Sequence, residues 1–203
     1  MEQIDNFTKS LNVFKSLSMS QCKEAFLANP ELYAGDILFI SSINRSLEVA
    51  ESFINAAKNQ NFSVMPVLLR LQVNTLATLH YLQKHDVTGE VLSSFNRGTE
   101  FRNITVPGTK SKLTDRLMVE KASLEYPWIK SVYLATSSWV HLSPTLAFSP
   151  IEIEDGRLIN LRLPRISDPK FQYAVDELCE AMTACIQGIQ EEIQEWAGTR
   201  ILK

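Results

Sequence analysis

Hydrophobic residues recur at helical spacing along most of the chain, and this pattern predicts a mainly α-helical fold. The first apolar stripe consists of Ile4, Phe7, Leu11, Phe14 and Leu17. A second short helix is expected over 21–28, because Asn29 and Pro30 would end it. We therefore expect an N-terminal helical segment, residues 1–34, that packs on a bundle domain of residues 35–203.

The middle of the chain predicts further helices arranged around a central one. The helix over 36–59 has a predicted buried stripe of Ile40, Ile43, Leu47, Ala50 and Ile54. The next helix begins at 61–63 and tolerates Pro66 in its first turn. It is apolar on more than one face, so we expect it at the centre of the bundle. Shorter helices are predicted over 91–95, 114–124 and 127–141.

Residues 149–163 change to a period of two, which is typical of β-strands. Asp155 followed by Gly156 is a hairpin signal. A register that joins Ile153 to Ile159 places the isoleucines on one face and implies a three-residue loop. We therefore predict one β-hairpin in this segment.

A long final helix is predicted after Pro169, with an apolar stripe close to a heptad repeat. The stripe consists of Phe171, Val175, Leu178, Met182, Cys185, Ile189, Ile193 and Trp196. The acidic residues of this helix, Glu192 among them, are expected to lie off the stripe. The stripe could also form a homodimer seam. The predicted fold class is thus a mainly α bundle of about five to seven helices with one inserted β-hairpin around 150–163.

The composition narrows the classes of function without naming one. The chain has 203 residues, of which 45% are hydrophobic, and a net charge of −3. This charge argues against a surface built wholly for nucleic acid, although a local basic patch stays possible. No secretory leader and no membrane-spanning run is expected. The cysteines lack a CxxC spacing, so we expect a cytoplasmic protein with reduced thiols, no metal site and no cofactor. His80 and His85 end the central helix, where a positive side chain suits the helix dipole.

The most distinctive polar residue is His141, which ends an apolar helix in the run from Trp139 to Pro144. An imidazole titrates near neutral pH, so His141 could act as a general acid or base. Ser143 and Ser138 are its candidate partners. His141 could also be a core histidine whose ring is bonded to a backbone carbonyl or a hydroxyl.

Arg70 interrupts the most apolar stretch of the chain and needs a partner if it is buried. It could link two helices by pairing with a carboxylate such as Glu48 or Glu51, or with backbone carbonyls at a helix end. Its planar guanidinium could instead hold a phosphate or carboxylate ligand. Asn74 falls on the same side of the predicted helix and is a second candidate for binding.

The segment 97–116 is the most basic part of the chain. Its cations are Arg97, Arg102, Lys110, Lys112 and Arg116, against the two acids Glu100 and Asp115. Such a loop could contact RNA or nucleotide phosphates, or it could be a solvated surface loop. Phe95 and Phe101 could stack on bases or anchor the loop.

Three segments resemble the HEPN superfamily, helical nucleotide-binding domains that include toxin ribonucleases and abortive-infection proteins. The segments are Asn44-Arg45-Ser46-Leu47-Glu48, Leu68-Leu69-Arg70-Leu71-Gln72 with Thr75-Leu76, and Val132-Tyr133 through Pro144. The resemblance implies a helical fold, a homodimer and a bacterial protein that acts on RNA. HEPN ribonucleases have four to six residues between an arginine and their catalytic histidine, whereas this chain has Leu134, Ala135 and Thr136 at the positions of that arginine. An active site would therefore combine His141 with an arginine from elsewhere, and Arg70 is the candidate.

Two hypotheses follow from these observations. In the first, the chain is a HEPN-like defence or toxin-type protein that acts on RNA or nucleotides, and any enzyme would be a metal-independent ribonuclease. His141 and Arg70 would then be catalytic, while Asn74, Ser143 and the loop cations would bind. In the second, the chain is a non-catalytic helical module for binding or oligomerisation, and the same polar residues organise its core. An open cleft shared by His141 and Arg70 would favour the first hypothesis.

Overall fold

Helices make up most of the chain, as the hydrophobic pattern predicts. The computed structural model describes residues 2–85, 89–140, 151–154, 158–161 and 169–201. Its elements are α1 (Glu2–Ala28), α2 (Ala34–Lys58), α3 (Met65–Lys84), α4 (Gly89–Asn96), a 3-10 turn (Phe101–Asn103), α5 (Asp115–Ala122), α6 (Ile129–Val140), β1 (Ile151–Glu154), β2 (Leu158–Leu161) and α7 (Pro169–Ile201). The seven α-helices of the described residues confirm the mainly α fold class.

Helix α3 forms the centre of the bundle. It contacts α2, α5, α6 and α7, and α1 packs along α7. Leu69, Val73, Leu76 and Leu79 of α3 are fully enclosed. Pro66 lies in the first turn, where a missing N–H costs no helical hydrogen bond. The central position predicted for this helix is confirmed.

Helix α1 is continuous where the sequence analysis divided it into two helices. The residues between the two predicted helices include no proline or glycine that would break the backbone. Ser18 is fully buried there and donates a hydrogen bond to Oε1 of Gln190 on α7 at 3.1 Å. The buried face of α1 therefore continues through the expected break, because the Ser18 hydroxyl has a partner on α7. The helix ends before Asn29 and Pro30.

The buried face of α2 differs slightly from the predicted stripe. Ile43, Ala50 and Ile54 are buried as expected, but Ile40 keeps 41% of its surface exposed. Phe39 is buried instead of Ile40. Phe39 lies four residues before Ile43, and residues at that spacing lie on the same face of a helix. The outward turn of Ile40 leaves an apolar side chain on the surface of α2.

A buried ion pair joins the end of α7 to the start of α2. Asp36 and Arg200 are each 3% exposed, and they pair directly. The Asp36 carboxylate also accepts hydrogen bonds from the Tyr33 amide at 2.7 Å and from Trp196 Nε1 at 3.0 Å. The Arg200 guanidinium donates to the carbonyl of Asn29 at 2.6 Å. These bonds offset the cost of burying both charges.

Strands β1 and β2 pair antiparallel, with Ile153 opposite Ile159 and Ile151 opposite Leu161. This is the register that the sequence analysis predicts. Residues 155–157, where the sequence predicts the hairpin loop, lie outside the described residues.

The apolar stripe of α7 belongs to the core of this chain. Met182, Cys185, Ile189 and Ile193 are each fully buried, against neighbours that include α1 and α3. These residues form the buried face of a packed amphipathic helix, and a homodimer through another surface stays a prediction. No helix among the described residues combines the length and apolar character that a bilayer crossing requires.

Candidate functional site

An open groove of about 530 Å³ lies between α2, α3, α5 and the turn that follows α4. Its lining is Leu38, Ser41, Ser42, Arg45, Asn74, Thr75, Thr78, Phe95, Glu100, Phe101, Arg102, Asp115 and Met118. Two residues predicted to bind, Asn74 and Arg102, thus line one surface although they are distant in sequence. The volume falls within the range of about 300–1,000 Å³ that is common for small-ligand sites.

The groove exists because α2 and α3 face each other there with small side chains. Ser41 and Ser42 of α2 lie near Thr75 and Thr78 of α3 along the lining. None of the four side chains is long enough to fill the space between two helices, so a concave surface stays open. The four hydroxyls give this part of the lining its polar groups.

Four charged residues line the groove, and three of them have a partner on the protein. Arg102 pairs with Glu100 at 2.5 Å, and both side chains are largely exposed. Asp115 accepts a hydrogen bond from Asn74 Nδ2 at 2.9 Å. Arg45 is exposed and forms no ion pair with any residue that the structure describes. Arg45 is therefore the cation of the groove that is available to an anionic ligand.

Arg70 supports the groove from behind and does not line it. Its guanidinium lies over the Tyr133 ring, 3.4 Å from the centroid, and donates a hydrogen bond to Asn74 Oδ1. Burial lowers the pKa of Arg70, an effect that nearby Tyr133 and Asp115 oppose. The group keeps its charge across the physiological range, because a guanidinium does not lose its proton in proteins. Arg70, Asn74 and Asp115 thus form one chain of contacts that ends in the groove.

The predicted partners of Arg70 are wrong. Glu48 accepts a hydrogen bond from Asn44 at 2.9 Å, and Glu51 lies 4.0 Å from Lys15 at the surface. Both carboxylates are on the solvent side of α2, whereas Arg70 faces α6. An aromatic face and an amide meet the half-buried guanidinium instead.

The aromatic residues that flank the basic loop pack on each other. The rings of Phe95 and Phe101 stack with their centroids 4.4 Å apart and an interplanar angle of 11°. Each ring is partly buried and also lines the groove. The pair therefore anchors the loop and gives the groove an apolar wall, so the two roles considered for these residues are compatible.

The loop lysines lie apart from the groove lining. Lys112 donates to the Asn103 carbonyl at 2.7 Å and to Thr105 Oγ1 at 3.0 Å, which closes the loop on itself. Lys110 is exposed in the turn of the same loop. Arg102 is the cation of the predicted basic patch that the structure brings to the groove. His141 and Ser143 lie outside the described residues.

A second polar cluster lies deep between α3 and α7, where the sequence analysis predicts none. His80 Nδ1 lies 2.8 Å from Glu192 Oε1, and the two residues are 4% and 2% exposed. Tyr126 donates to the same carboxylate oxygen at 3.0 Å. Burial and the nearby carboxylates raise the pKa of Tyr126 far above its usual range, so its hydroxyl stays a donor. Two expectations are thus corrected. His80 is a buried partner of Glu192 and not only a side chain that suits the end of a helix. Glu192 lies within the buried face of α7 and not off it.

The cysteines of the core are not reactive nucleophiles. Burial raises the pKa of Cys179 to about 12, so its thiol is protonated at neutral pH. Burial also raises the pKa values of Cys185 and Cys22. All three are free thiols. Among the described residues, no group of His, Cys, Asp and Glu side chains is arranged to hold a metal ion.

No protein-family model matches this chain, and no curated protein or solved structure matches it. The groove and its chemistry are therefore the basis for the function considered next.

Proposed function

We propose that the protein binds RNA or a nucleotide in the groove between α2, α3 and α5, as a HEPN-like helical protein of the defence or toxin type. The observation that carries this proposal is the composition of the groove lining. It combines the guanidinium of Arg45, which forms no ion pair within the described part of the chain, with four side-chain hydroxyls and an apolar wall of stacked phenylalanines. A nucleotide presents the matching groups, namely a phosphate, sugar hydroxyls and a flat base.

Arg45 is the proposed phosphate contact. Its position is exposed on α2, within the segment that carries the HEPN resemblance. Arg102 is the second cation of the lining, and its pairing with Glu100 reduces its attraction for a phosphate. Arg70 is reassigned from a phosphate clamp to a positioning residue, because its guanidinium is occupied by Asn74 and Tyr133.

Cleavage of the bound RNA is the catalytic extension of this proposal, and it depends on His141 as the acid or base. The hypothesis rests on the type of residue and on the apolar sequence that precedes it, which predicts a helix ending at His141. A non-catalytic module would use the same groove for binding alone.

The binding proposal is tested with a fluorescein-labelled single-stranded RNA by fluorescence anisotropy at low and at physiological salt. We expect the Arg45→Gln variant to bind roughly tenfold more weakly, and the slope of log K against log salt to fall by about 0.7, as for one lost phosphate contact. Lys58→Gln is the matched control. It removes the same charge from an exposed position of α2, 13 residues further along, about 20 Å away at 1.5 Å per residue.

Equal losses in the two variants would assign the effect to net charge and overturn the proposed site. Absence of RNA binding by the wild-type protein would overturn RNA as the ligand of the groove. Thermal unfolding of each variant shows whether the fold is retained, and exposed positions of this kind usually change stability by less than about 0.5 kcal/mol.

A further inference from the structure

Asp115 places a carboxylate in the lining of a groove that we assign to an anionic ligand. A negative side chain is unexpected there, because like charges repel. The side chain lies in the first turn of α5, where Thr114 caps the helix by accepting a hydrogen bond from the Leu117 amide at 3.3 Å. A carboxylate there is favourable for the helix dipole. That benefit explains an acid at this position but not its fixed orientation toward α3.

The orientation of Asp115 is set by a chain of contacts that crosses α3. Asn74 Nδ2 donates to Asp115 Oδ2 at 2.9 Å, and Asn74 Oδ1 in turn accepts from Arg70. Arg70 is held against the Tyr133 ring of α6. Because Arg70 occupies the amide oxygen, the amide nitrogen of Asn74 must face Asp115. One carboxylate oxygen is thereby held, and the carboxylate keeps further acceptor sites for a ligand.

Glu100 is the other acid of the groove lining, and it forms an ion pair. Its carboxylate lies 2.5 Å from the Arg102 guanidinium, which balances its charge. Asp115 has no cation in direct contact among the described residues, since Arg70 reaches it only through the Asn74 amide. A carboxylate fixed by a neutral amide repels a phosphate but accepts hydrogen bonds from hydroxyl groups.

We propose that Asp115 recognises the ribose of the bound ligand by accepting a hydrogen bond from its 2′-hydroxyl, so that the groove selects RNA over DNA. This inference rests on the proposed function and deepens it. In nucleic acids the 2′-hydroxyl is the group that distinguishes the two sugars, and it can donate a hydrogen bond. The carboxylate shares the groove lining with the hydroxyls of Thr75 and Thr78. Arg70 and Asn74 act as positioning residues for it.

The test measures the affinity of the full chain for a labelled single-stranded RNA and for the DNA of the same sequence with deoxyuridine in place of uridine. The wild-type protein is expected to prefer RNA at least tenfold, as for one hydrogen bond to a charged acceptor. Asp115→Asn is expected to reduce this preference to about twofold, with DNA binding unchanged or tighter because a repelling charge has gone. Glu120→Gln is the matched control: it removes a carboxylate from the same helix that pairs only with Arg116, and the preference should stay.

A second variant separates positioning from general damage. Asn74→Ala removes the amide that holds the carboxylate, and it should lower the RNA preference while DNA binding persists. Equal wild-type affinity for the two nucleic acids, or a preference that survives Asp115→Asn, would overturn the inference and leave the proposed function standing. Failure to bind either nucleic acid would overturn both.

Discussion

The buried contact between His80 and Glu192 shows how a single polar pair can link two distant helices. The residues are 112 positions apart, and their 2.8 Å contact lies in the core between α3 and α7. Tyr126 approaches the same carboxylate from the segment before α6, so three parts of the chain meet at one oxygen. A buried carboxylate that loses such partners costs far more than a surface charge, because water cannot replace them.

We predict that His80→Ala lowers the free energy of unfolding by about 3 kcal/mol, since it removes a partner of the buried Glu192 carboxylate and leaves a cavity. Tyr126→Phe should cost less, about 1–2 kcal/mol, because it deletes one hydroxyl from a carboxylate that keeps His80. Urea unfolding followed by circular dichroism measures both values. A loss below about 0.5 kcal/mol for His80→Ala would show that the pair does not stabilise the fold.

Polar residues also explain the limits of prediction at the residue scale. Asn74 could be selected from the sequence because it falls on the same side of the predicted helix as Arg70, and Arg102 because it belongs to the basic segment 97–116. Arg45 and Asp115 could not, since each is an ordinary surface charge until three elements place it in one groove. Glu192 was expected in solvent, because helical periodicity cannot show that an acid has a histidine from another helix as its partner.

At the scale of the element, a glycine of helix α7 lies directly against α3. A Cβ atom at Gly188 would lie 2.9 Å from one methyl group of Leu76 and 3.3 Å from Cε1 of Tyr126. Leu76 is fully enclosed, so its methyl groups have little room to move. The absence of a side chain at Gly188 therefore permits the close contact of the two helices.

We predict that Gly188→Ala lowers the free energy of unfolding by about 1 kcal/mol. Overpacking costs about 1–3 kcal/mol, and the higher helix propensity of alanine offsets about 1 kcal/mol of it. Gly198→Ala is the control in the same helix: its Cβ meets nothing within 4 Å, so this change should stabilise the protein. Thermal unfolding of the two variants compares them directly, and stabilisation by both would contradict the close contact at Gly188.

Most helices could be predicted from periodicity because each buries one apolar stripe. The exceptions have local causes. Ser18 is a weak helix former, but α1 continues through it because its hydroxyl donates a hydrogen bond to Gln190. The isoleucines alone could not show which face of α2 is buried, because Phe39 and Phe53 are also apolar and both lie in the core.

At the scale of the whole molecule, α3 supplies both the structural centre and one side of the candidate site. One of its faces packs on α7 through Leu76 and His80, and another presents Asn74, Thr75 and Thr78 to the groove. Most of the groove lining thus comes from helices, and the turn after α4 completes it with Glu100, Phe101 and Arg102. A site built mainly on helices keeps its geometry without a ligand.

The central claim is that this groove is the binding surface, and amide chemical-shift mapping by heteronuclear NMR with a short single-stranded RNA tests it most directly. We predict the largest shifts over 41–45 of α2, over 74–78 of α3 and at Phe101 and Arg102, with the far end of α2 near Lys58 unaffected. Shifts confined to the lysine loop over 106–112, or spread over the surface without a maximum at the groove, would contradict the account.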